Sequence, residues 1–194
     1  MAHLDLPDAS LDYIDSFFYR NEADLLFAQL LDEINWRSEK IVMYGKEMEM
    51  PRLSSWVGDH GARYTYSRRT FVPSPWTPTL TIIRSRLEKH LGTEFNSCLC
   101  NLYRTGQDSM GWHSDDEPEL GIDPTIASIS LGEPRRFKLR HRRYRSLKHD
   151  IVLGPGSLLV MSGDTQANWQ HSLPKSAQVL GSRVNLTFRL IEVN

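Results

Sequence analysis

The segment 183–191 constrains the fold more than any other part of the chain, because its apolar and polar residues alternate strictly. A period of two places successive side chains on opposite faces of a β-strand. The apolar members are Val184, Leu186, Phe188 and Leu190, and the polar members are Arg183, Asn185, Thr187 and Arg189. We therefore expect a strand with one face on an apolar core. The polar face lies either in water, as in any half-exposed strand, or in a binding site.

A second predicted strand, 98–103, has a similar polar face, formed by Asn101 and Tyr103. Guanidinium groups bind carboxylates as a planar two-donor fork, and amide and hydroxyl groups can complete such a site. A dicarboxylate held between the two strands would account for both polar faces. Cys98 and Cys100 are the only cysteines. Two cysteines argue against a disulfide framework or a zinc site that needs four ligands, so we expect them to be buried small side chains.

Two histidines and an aspartate, His113, Asp115 and His171, form a candidate metal site. In an extended segment, residues i and i+2 point the same way, so His113 and Asp115 can reach one metal together. Two histidines and one carboxylate form the facial triad of non-haem Fe(II) oxygenases, which leaves coordination positions open for co-substrates. The pattern is common by chance when it is taken alone, and it gains weight from the two polar strand faces.

The rest of the chain predicts two helices and many short strands. We expect Asn21 to cap a first helix, and Thr77-Pro78 to begin a second helix that ends at Gly92. The apolar stripe of the first is Leu25, Leu26, Leu30, Leu31 and Ile34, and that of the second is Leu80, Ile83, Leu87 and Leu91. After Gly92, short strands are separated by turns at 132–134 and 154–156, which indicates a closed or double-sheet β architecture.

Composition places few limits on function. The 194 residues fit one domain, and the formal net charge of −1 means that nucleic-acid contacts would need local basic patches. No apolar run is long enough for a membrane span, and the acidic N-terminus lacks the features of a signal peptide. We expect a monomer that makes no membrane contact and stays inside the cell, in the cytoplasm of a bacterium or the nucleus of a eukaryote.

Three motifs together carry a family resemblance: residues 101–117, the run His171-Ser172-Leu173-Pro174 and residues 183–189. In this order they resemble the AlkB family of Fe(II)/2-oxoglutarate-dependent nucleic-acid dealkylases. They look closest to the branch of human homologues that repair alkylated duplex or single-stranded DNA. The resemblance implies a mainly β protein with flanking helices, a double-stranded β-helix or jelly roll. It also implies one dioxygenase domain over 1–194, with a catalytic core at 98–191 and a nucleotide-recognition hairpin region at 36–75.

The resemblance further implies that His113, Asp115 and His171 bind Fe(II), and that 2-oxoglutarate and O2 are co-substrates. Arg189 is expected to pair with the distal carboxylate of 2-oxoglutarate, while Arg183 lies near the iron-bound end. The co-substrate site is completed by Asn101, Tyr103 and Thr187. The implied reaction is oxidative demethylation of 1-methyladenine and 3-methylcytosine in DNA, which releases formaldehyde, succinate and CO2.

The expected substrate contacts begin in the hairpin region. Residues 42–46 resemble a hairpin that inserts an aromatic side chain into the base stack, and Met43, Tyr44 and Gly45 form its expected tip. Arg52 is assigned to the same substrate-binding region. An enzyme that oxidises a base methyl group must flip the nucleotide or accept a single strand, and a wedge lowers the cost of flipping. Tyr44 is the candidate wedge. The alternative is an exposed hairpin tyrosine whose side chain packs on neighbouring residues.

The expected lesion pocket contains Tyr64 and Tyr66, which share a strand face. Bases methylated at adenine N1 or cytosine N3 are cationic, so an aromatic ring such as that of Tyr66 favours them through a cation–π interaction. The ring of His113 could cover the other face of the base. Asp116 and Glu117 follow the iron ligands and would favour a positive lesion, unless both are solvated loop acids.

A basic run at 135–149 is the candidate for phosphate contacts. It contains Arg135 and Arg136, and its expected backbone-binding residues are Arg142, Arg143, Arg145 and Lys148. Phosphate contacts supply affinity for nucleic acid without reading its sequence. The alternative is that the basic run forms a solvated hairpin with no ligand. Where duplex-acting relatives have a further basic cluster, residues 175–178 contain only Lys175. Single-stranded DNA and RNA therefore stay open as substrates.

Two other classes of function compete with this interpretation. An Fe(II)/2-oxoglutarate hydroxylase acting on protein or a small molecule would share the metal triad and the arginines, without the tyrosines of the hairpin and pocket. The second class is a metal-free binding module with a jelly-roll fold. Such a module has no use for three potential metal ligands beside a strand that binds a carboxylate. Fe(II)-dependent succinate formation eliminates the binding module, and formaldehyde release from methylated oligonucleotides separates the two oxygenases.

Replacing Tyr44 tests the wedge hypothesis. Opening a duplex costs a few kcal/mol that an unpaired base avoids. Tyr44→Ala should therefore reduce activity on methylated duplex DNA roughly tenfold or more, since about 1.4 kcal/mol corresponds to a factor of ten. Activity on the matching single strand should change much less. Equal losses on both substrates, measured by formaldehyde release, would assign Tyr44 to the pocket or the fold.

Overall fold

The computed structural model describes residues 1–43, 46–62, 64–66, 69–179 and 181–192, and at 41–43, 46–47, 64–66 and 69–71 it describes the backbone alone. The helices are α1 Arg20–Glu33, α2 Pro78–Leu91 and α3 Thr165–Asn168, with a 3-10 helix at Pro118–Leu120. The strands are β1 Ala2–Leu4, β2 Ser10–Ile14, β3 Arg37–Met43, β4 Lys46–Gly58, β5 Tyr64–Tyr66, β6 Arg69–Phe71, β7 Ser97–Tyr103, β8 Met110–His113, β9 Ile126–Gly132, β10 Arg135–His141, β11 Lys148–Leu153, β12 Ser157–Ser162, β13 Trp169–Leu173 and β14 Arg183–Arg189.

Two antiparallel sheets form the body of the protein. The large sheet has eight strands in the order β1-β2-β12-β9-β14-β7-β4-β3, and the small sheet has four in the order β11-β10-β13-β8. Strands β5 and β6 pair with each other. This arrangement confirms the predicted double-sheet architecture. The predicted turns also lie where expected, between β9 and β10 and between β11 and β12.

Strand β14 pairs with β7 on one edge and with β9 on the other, so it is an interior strand of the large sheet. Its apolar face packs under α1 and α2, where Val184, Leu186 and Phe188 are fully buried. Its polar face is also buried, which excludes the solvated alternative. Leu190 departs from the predicted pattern, because the strand ends at Arg189 and the leucine is half exposed.

The second helix agrees with its prediction, and the first does so only in part. Thr77 caps α2 by accepting a hydrogen bond from the Leu80 amide, and Gly92 ends it in the left-handed conformation at φ 65°. The predicted cap Asn21 is wrong, because α1 begins at Arg20 and its N-cap is Tyr19, two residues before the predicted cap. Leu25 and Leu31, assigned to the apolar stripe, are exposed, since only one narrow side of α1 meets the sheet.

A second core fills the space between the two sheets. It contains Phe137 and Leu139 from the small sheet and Leu159 and Met161 from the large sheet. Cys98 and Cys100 are buried under the helices with free thiols, as predicted. In the part of the chain that the structure describes, no helix is long and apolar enough to cross a membrane. The division into residues 36–75 and 98–191 stays a prediction.

The packing of β14 yields a stability prediction. Leu186→Ala removes a fully buried side chain between helices and sheet, so it should lower the free energy of unfolding by about 2–5 kcal/mol. Val152→Ala is the matched control, because Val152 lies on an exposed strand face and should change it by less than about 0.5 kcal/mol. Urea unfolding of both variants measures the difference. Similar midpoints for the two variants would contradict the assignment of the core.

Candidate active site between the sheets

The two histidines and the aspartate meet in the cavity between the sheets. Strand β8 pairs with β13, and His113 and His171 are direct partners across this pair. The Nε2 atoms of His113 and His171 lie 3.8 and 3.9 Å from the two carboxylate oxygens of Asp115. All three potential ligand atoms lie within 4.8 Å of one another. One octahedral cation can therefore be held on one face by three protein ligands.

The protonation states of this cluster suit a metal. His113 Nδ1 lies 2.9 Å from the Gly111 carbonyl oxygen, which can only accept, so Nδ1 carries the proton and Nε2 is the ligand. Burial and the neighbouring His113 lower the pKa of His171 to about 3. Burial alone would raise the pKa of Asp115, but Arg189 and the two histidines lower it to about 2. At neutral pH the site therefore contains a neutral His171 and an ionised carboxylate.

Surrounding residues hold the ligands in place. The Asp115 amide donates to Gln166 Oε1 at 2.9 Å, and the Ser114 hydroxyl donates to the Trp169 carbonyl at 2.8 Å. The ring of Phe137 stacks on His171 with centroids 5.2 Å apart. The sequence analysis missed Gln166, which lies on the one-turn helix α3 and reaches Asp115 only through tertiary packing.

The cavity extends from the metal ligands to a buried cluster around Arg183. Asn101, Tyr103 and Thr187 line it together with Ser128 and Asn185, and the predicted contacts of the first three with a co-substrate stay predictions. The Arg183 guanidinium lies 5.3 Å from the Tyr103 ring centroid and donates to Ser130 Oγ at 2.9 Å. Burial lowers the pKa of Arg183 to about 10. Its Nε has no hydrogen-bond partner among the described residues, so a bound carboxylate would satisfy both its charge and this donor.

The structure reverses the expected positions of the two arginines. Arg189 Nη2 donates to Asp115 Oδ1 at 2.7 Å, so Arg189 lies at the metal end. Arg183 lies six residues away along an extended strand, beside Tyr103. The error has a geometric cause: alternation places both arginines on one face, but it does not tell which end of β14 meets β8. Arg183 is therefore the candidate partner for a distal carboxylate.

The predicted substrate residues fall into different positions. Glu117 lines the cavity, whereas Asp116 pairs with Arg142 at 2.8 Å on the surface. Arg52 is buried and donates to Asn101 Oδ1 at 2.8 Å, so in this structure it holds a side chain that lines the cavity, and its contact with a substrate stays a prediction. The side chain of Met43, residues Tyr44 and Gly45, and the side chains of Tyr64 and Tyr66 lie outside the described residues. Their assigned contacts stay predictions.

The basic run divides into a buried and an exposed part. Arg135 is wrong as a phosphate contact, because it is buried and donates to the carbonyl oxygens of Thr105, Asp108 and Pro174. Arg142, Arg143, Arg145 and Lys148 are exposed at the connection between β10 and β11 or at its edge. Their contacts with a nucleic-acid backbone stay predictions.

Comparison with known proteins agrees with this site. The sequence profile of the 2OG-Fe(II) oxygenase superfamily matches residues 10–189. The chain belongs to this superfamily and to its AlkB homologues. It is 43% identical over 179 residues to human alpha-ketoglutarate-dependent dioxygenase alkB homolog 3, covering 88% of this chain and 62% of that protein. It is 40% identical over 199 residues to mouse DNA oxidative demethylase ALKBH2, covering 97% of this chain and 83% of that protein.

A solved structure shares the fold. The structure of OsALKBH1 superposes with a TM-score of 0.68 at 15% identity and covers 96% of this chain and 98% of that one. The predicted jelly roll is thereby confirmed. The chain spans about 62% of the length of the homolog 3 relatives that it matches.

The residues present fit the cofactors of the family, which are Fe(II), 2-oxoglutarate and O2. Two imidazoles and one carboxylate are the expected donor set for Fe(II), and three protein ligands leave positions for co-substrates. The buried Arg183, with an Nε that lacks a partner, fits a carboxylate at the far end of the same cavity. His113, Asp115 and His171 would hold the metal, and Arg183 would hold the carboxylate.

Arg183 provides a direct test of the cavity. Arg183→Lys keeps the positive charge but loses the two-donor fork, so the KM for 2-oxoglutarate should rise about tenfold or more. Arg20→Lys is the matched control, because Arg20 lies on the exposed surface of α1, where it pairs with Asp24. Steady-state succinate formation measures both variants. An unchanged KM in Arg183→Lys would show that another group anchors the co-substrate.

Proposed function

We propose that this protein is an Fe(II)/2-oxoglutarate-dependent DNA oxidative demethylase. Its substrates in this proposal are N-alkylated bases such as 1-methyladenine and 3-methylcytosine, and its products are the unmodified base, formaldehyde, succinate and CO2. The observation that carries the proposal is the single cavity lined at one end by three metal ligands and at the other by Arg183. The name of the related DNA oxidative demethylase ALKBH2 supplies the substrate class.

The protein would contribute binding and orientation. His113, Asp115 and His171 hold the metal, and Arg189 fixes the Asp115 side chain through its 2.7 Å hydrogen bond. Arg183 and Tyr103 bind the distal carboxylate, and Arg52 orients the Asn101 amide. When bound, the iron with 2-oxoglutarate and O2 supplies the oxidising chemistry that hydroxylates the N-methyl carbon. No protein nucleophile is needed at that carbon.

The walls of the cavity suit a cationic base. Glu117 lines the same cavity as the metal ligands, and a carboxylate there favours a positively charged methylated base over a neutral one. Asp116 is neutralised by Arg142 on the surface, so Glu117 is the carboxylate that we assign to the base. The base must leave a duplex or come from a single strand to reach this depth.

We further propose that DNA is the macromolecular partner and that the protein acts as a monomer. The cellular location that we propose is the cytoplasm of a bacterium or the nucleus of a eukaryote. Residues 175–178 lack a basic cluster that would bind a complementary strand. A single-stranded substrate is therefore open to this protein, and RNA is the second candidate.

The proposed activity is tested with oligonucleotides that contain 1-methyladenine or 3-methylcytosine in single-stranded DNA, duplex DNA and RNA. Mass spectrometry should show loss of the methyl group with Fe(II) and 2-oxoglutarate present. His113→Ala, Asp115→Ala and His171→Ala should each abolish turnover, because each removes one of three protein ligands. Methyl loss confined to RNA would identify an RNA demethylase. Succinate formation driven by peptides or small molecules, with none from nucleic acids, would refute the proposal.

A further inference from the structure

The outer face of the small sheet presents an aromatic and cationic row that the proposed reaction does not use. Along β10, Phe137 and Leu139 point into the core, so Arg140 points to the opposite face. Arg140 pairs across the sheet with Lys148 on β11 and with Gln170 on β13. Its guanidinium lies 4.2 Å from the ring centroid of Trp112 on β8. Trp112, Arg140 and Lys148 are called the outer row below.

Trp112 connects this row to the active site. It precedes the metal ligand His113 on the same strand, and neighbouring side chains of a strand lie on opposite faces. Strand β8 is the edge strand of the small sheet in the described part of the chain. An elongated ligand that leaves the cavity near His113 can therefore pass around this edge and reach Trp112 on the outer face of the sheet.

Hydrogen bonds fix the position of the Arg140 side chain in the outer row. Both Arg140 Nε and Nη2 donate to Gln170 Oε1, at 3.0 and 2.8 Å, which holds the guanidinium over the indole. Trp112 remains 38% exposed, which is unusual for so large an apolar side chain. No carboxylate of the described residues forms an ion pair with Arg140 or Lys148.

Cations outnumber anions on the rest of this face. Arg136 and Lys138 lie next to the outer row on β10, and both share a single acid, Asp150, at 3.4 and 3.6 Å. The face therefore carries four cations against one carboxylate. A surface of this charge attracts a polyanion, although the whole chain has a formal net charge of −1.

We propose that the outer row binds the part of a single nucleic-acid strand that flanks the reacting base. An unpaired base stacks on the exposed part of the Trp112–Arg140 pair, and the adjoining phosphates contact Arg140 and Lys148. Aromatic and guanidinium surfaces accept any base, so the site extends the footprint without reading sequence. This proposal rests on the proposed function, since it needs a nucleic acid in the cavity.

An acidic protein segment fits the face less well. Carboxylates would use the cations but would gain little from the indole, whereas stacking of a base on an aromatic ring contributes about 1–3 kcal/mol. The arrangement of a held guanidinium over a half-exposed tryptophan thus favours bases together with phosphates. Poly-glutamate serves as the competitor that distinguishes the two ligands.

The test compares long and short DNA ligands. Fluorescence anisotropy gives the Kd of a 15-nucleotide single strand and of a trinucleotide, both with a central 3-methylcytosine. Trp112→Ala and Arg140→Gln should each weaken binding of the long strand about tenfold, within the range for one stacked base. The trinucleotide should lose far less. Lys89→Gln, on the exposed end of α2, is the control and should leave both affinities unchanged.

Two further variants separate binding from folding. Trp112→Tyr keeps an aromatic ring and should restore most of the long-strand affinity. Lys148→Gln changes an exposed side chain and should lower the salt dependence of long-strand binding by about one phosphate contact. Equal losses on both lengths, no loss in any variant, or equal competition by poly-glutamate would overturn the proposal. Formaldehyde release from the trinucleotide by the unmodified protein tests the proposed function separately.

Discussion

Strand β14 is the element on which both the fold and the site depend. It is hydrogen-bonded along both edges, to β7 and β9, and both of its faces are buried. A register shift of one residue would place its arginines under the helices and its apolar side chains in the cavity. The apolar packing of Leu186 and Phe188 against the helices therefore fixes the position of the polar groups that face the small sheet.

The buried charges of the cavity are arranged at two ends. At one end, Arg189 and Asp115 form an ion pair of 2.7 Å, which compensates the cost of burying the carboxylate beside two histidines. At the other end, Arg183 is buried with Tyr103 and Ser130 as neutral neighbours. A dicarboxylate that chelates the metal would bring the missing negative charge to Arg183.

The sequence allowed the elements and the polar face to be predicted because both depend on local periodicity. Alternation identified β14, and Thr77-Pro78 with Gly92 identified α2. Features that depend on tertiary packing were not accessible. Nothing in the sequence shows that Arg183 rather than Arg189 lies far from the metal, that Arg135 is buried, or that Gln166 reaches Asp115. The exposure of Leu25 and Leu31 likewise depends on how narrow a side of α1 meets the sheet.

The most direct test of the central claim is an anaerobic titration of the Fe(II)-loaded protein with two ligands, followed by charge-transfer absorption. 2-Oxoglutarate has a distal carboxylate, and 2-oxobutyrate has the same chelating group without it. If Arg183 binds the distal carboxylate, the unmodified protein should prefer 2-oxoglutarate by roughly tenfold or more, since charge-assisted hydrogen bonds contribute about 1.5–3 kcal/mol. Arg183→Met should remove most of that preference. A preference that persists in Arg183→Met would contradict the account.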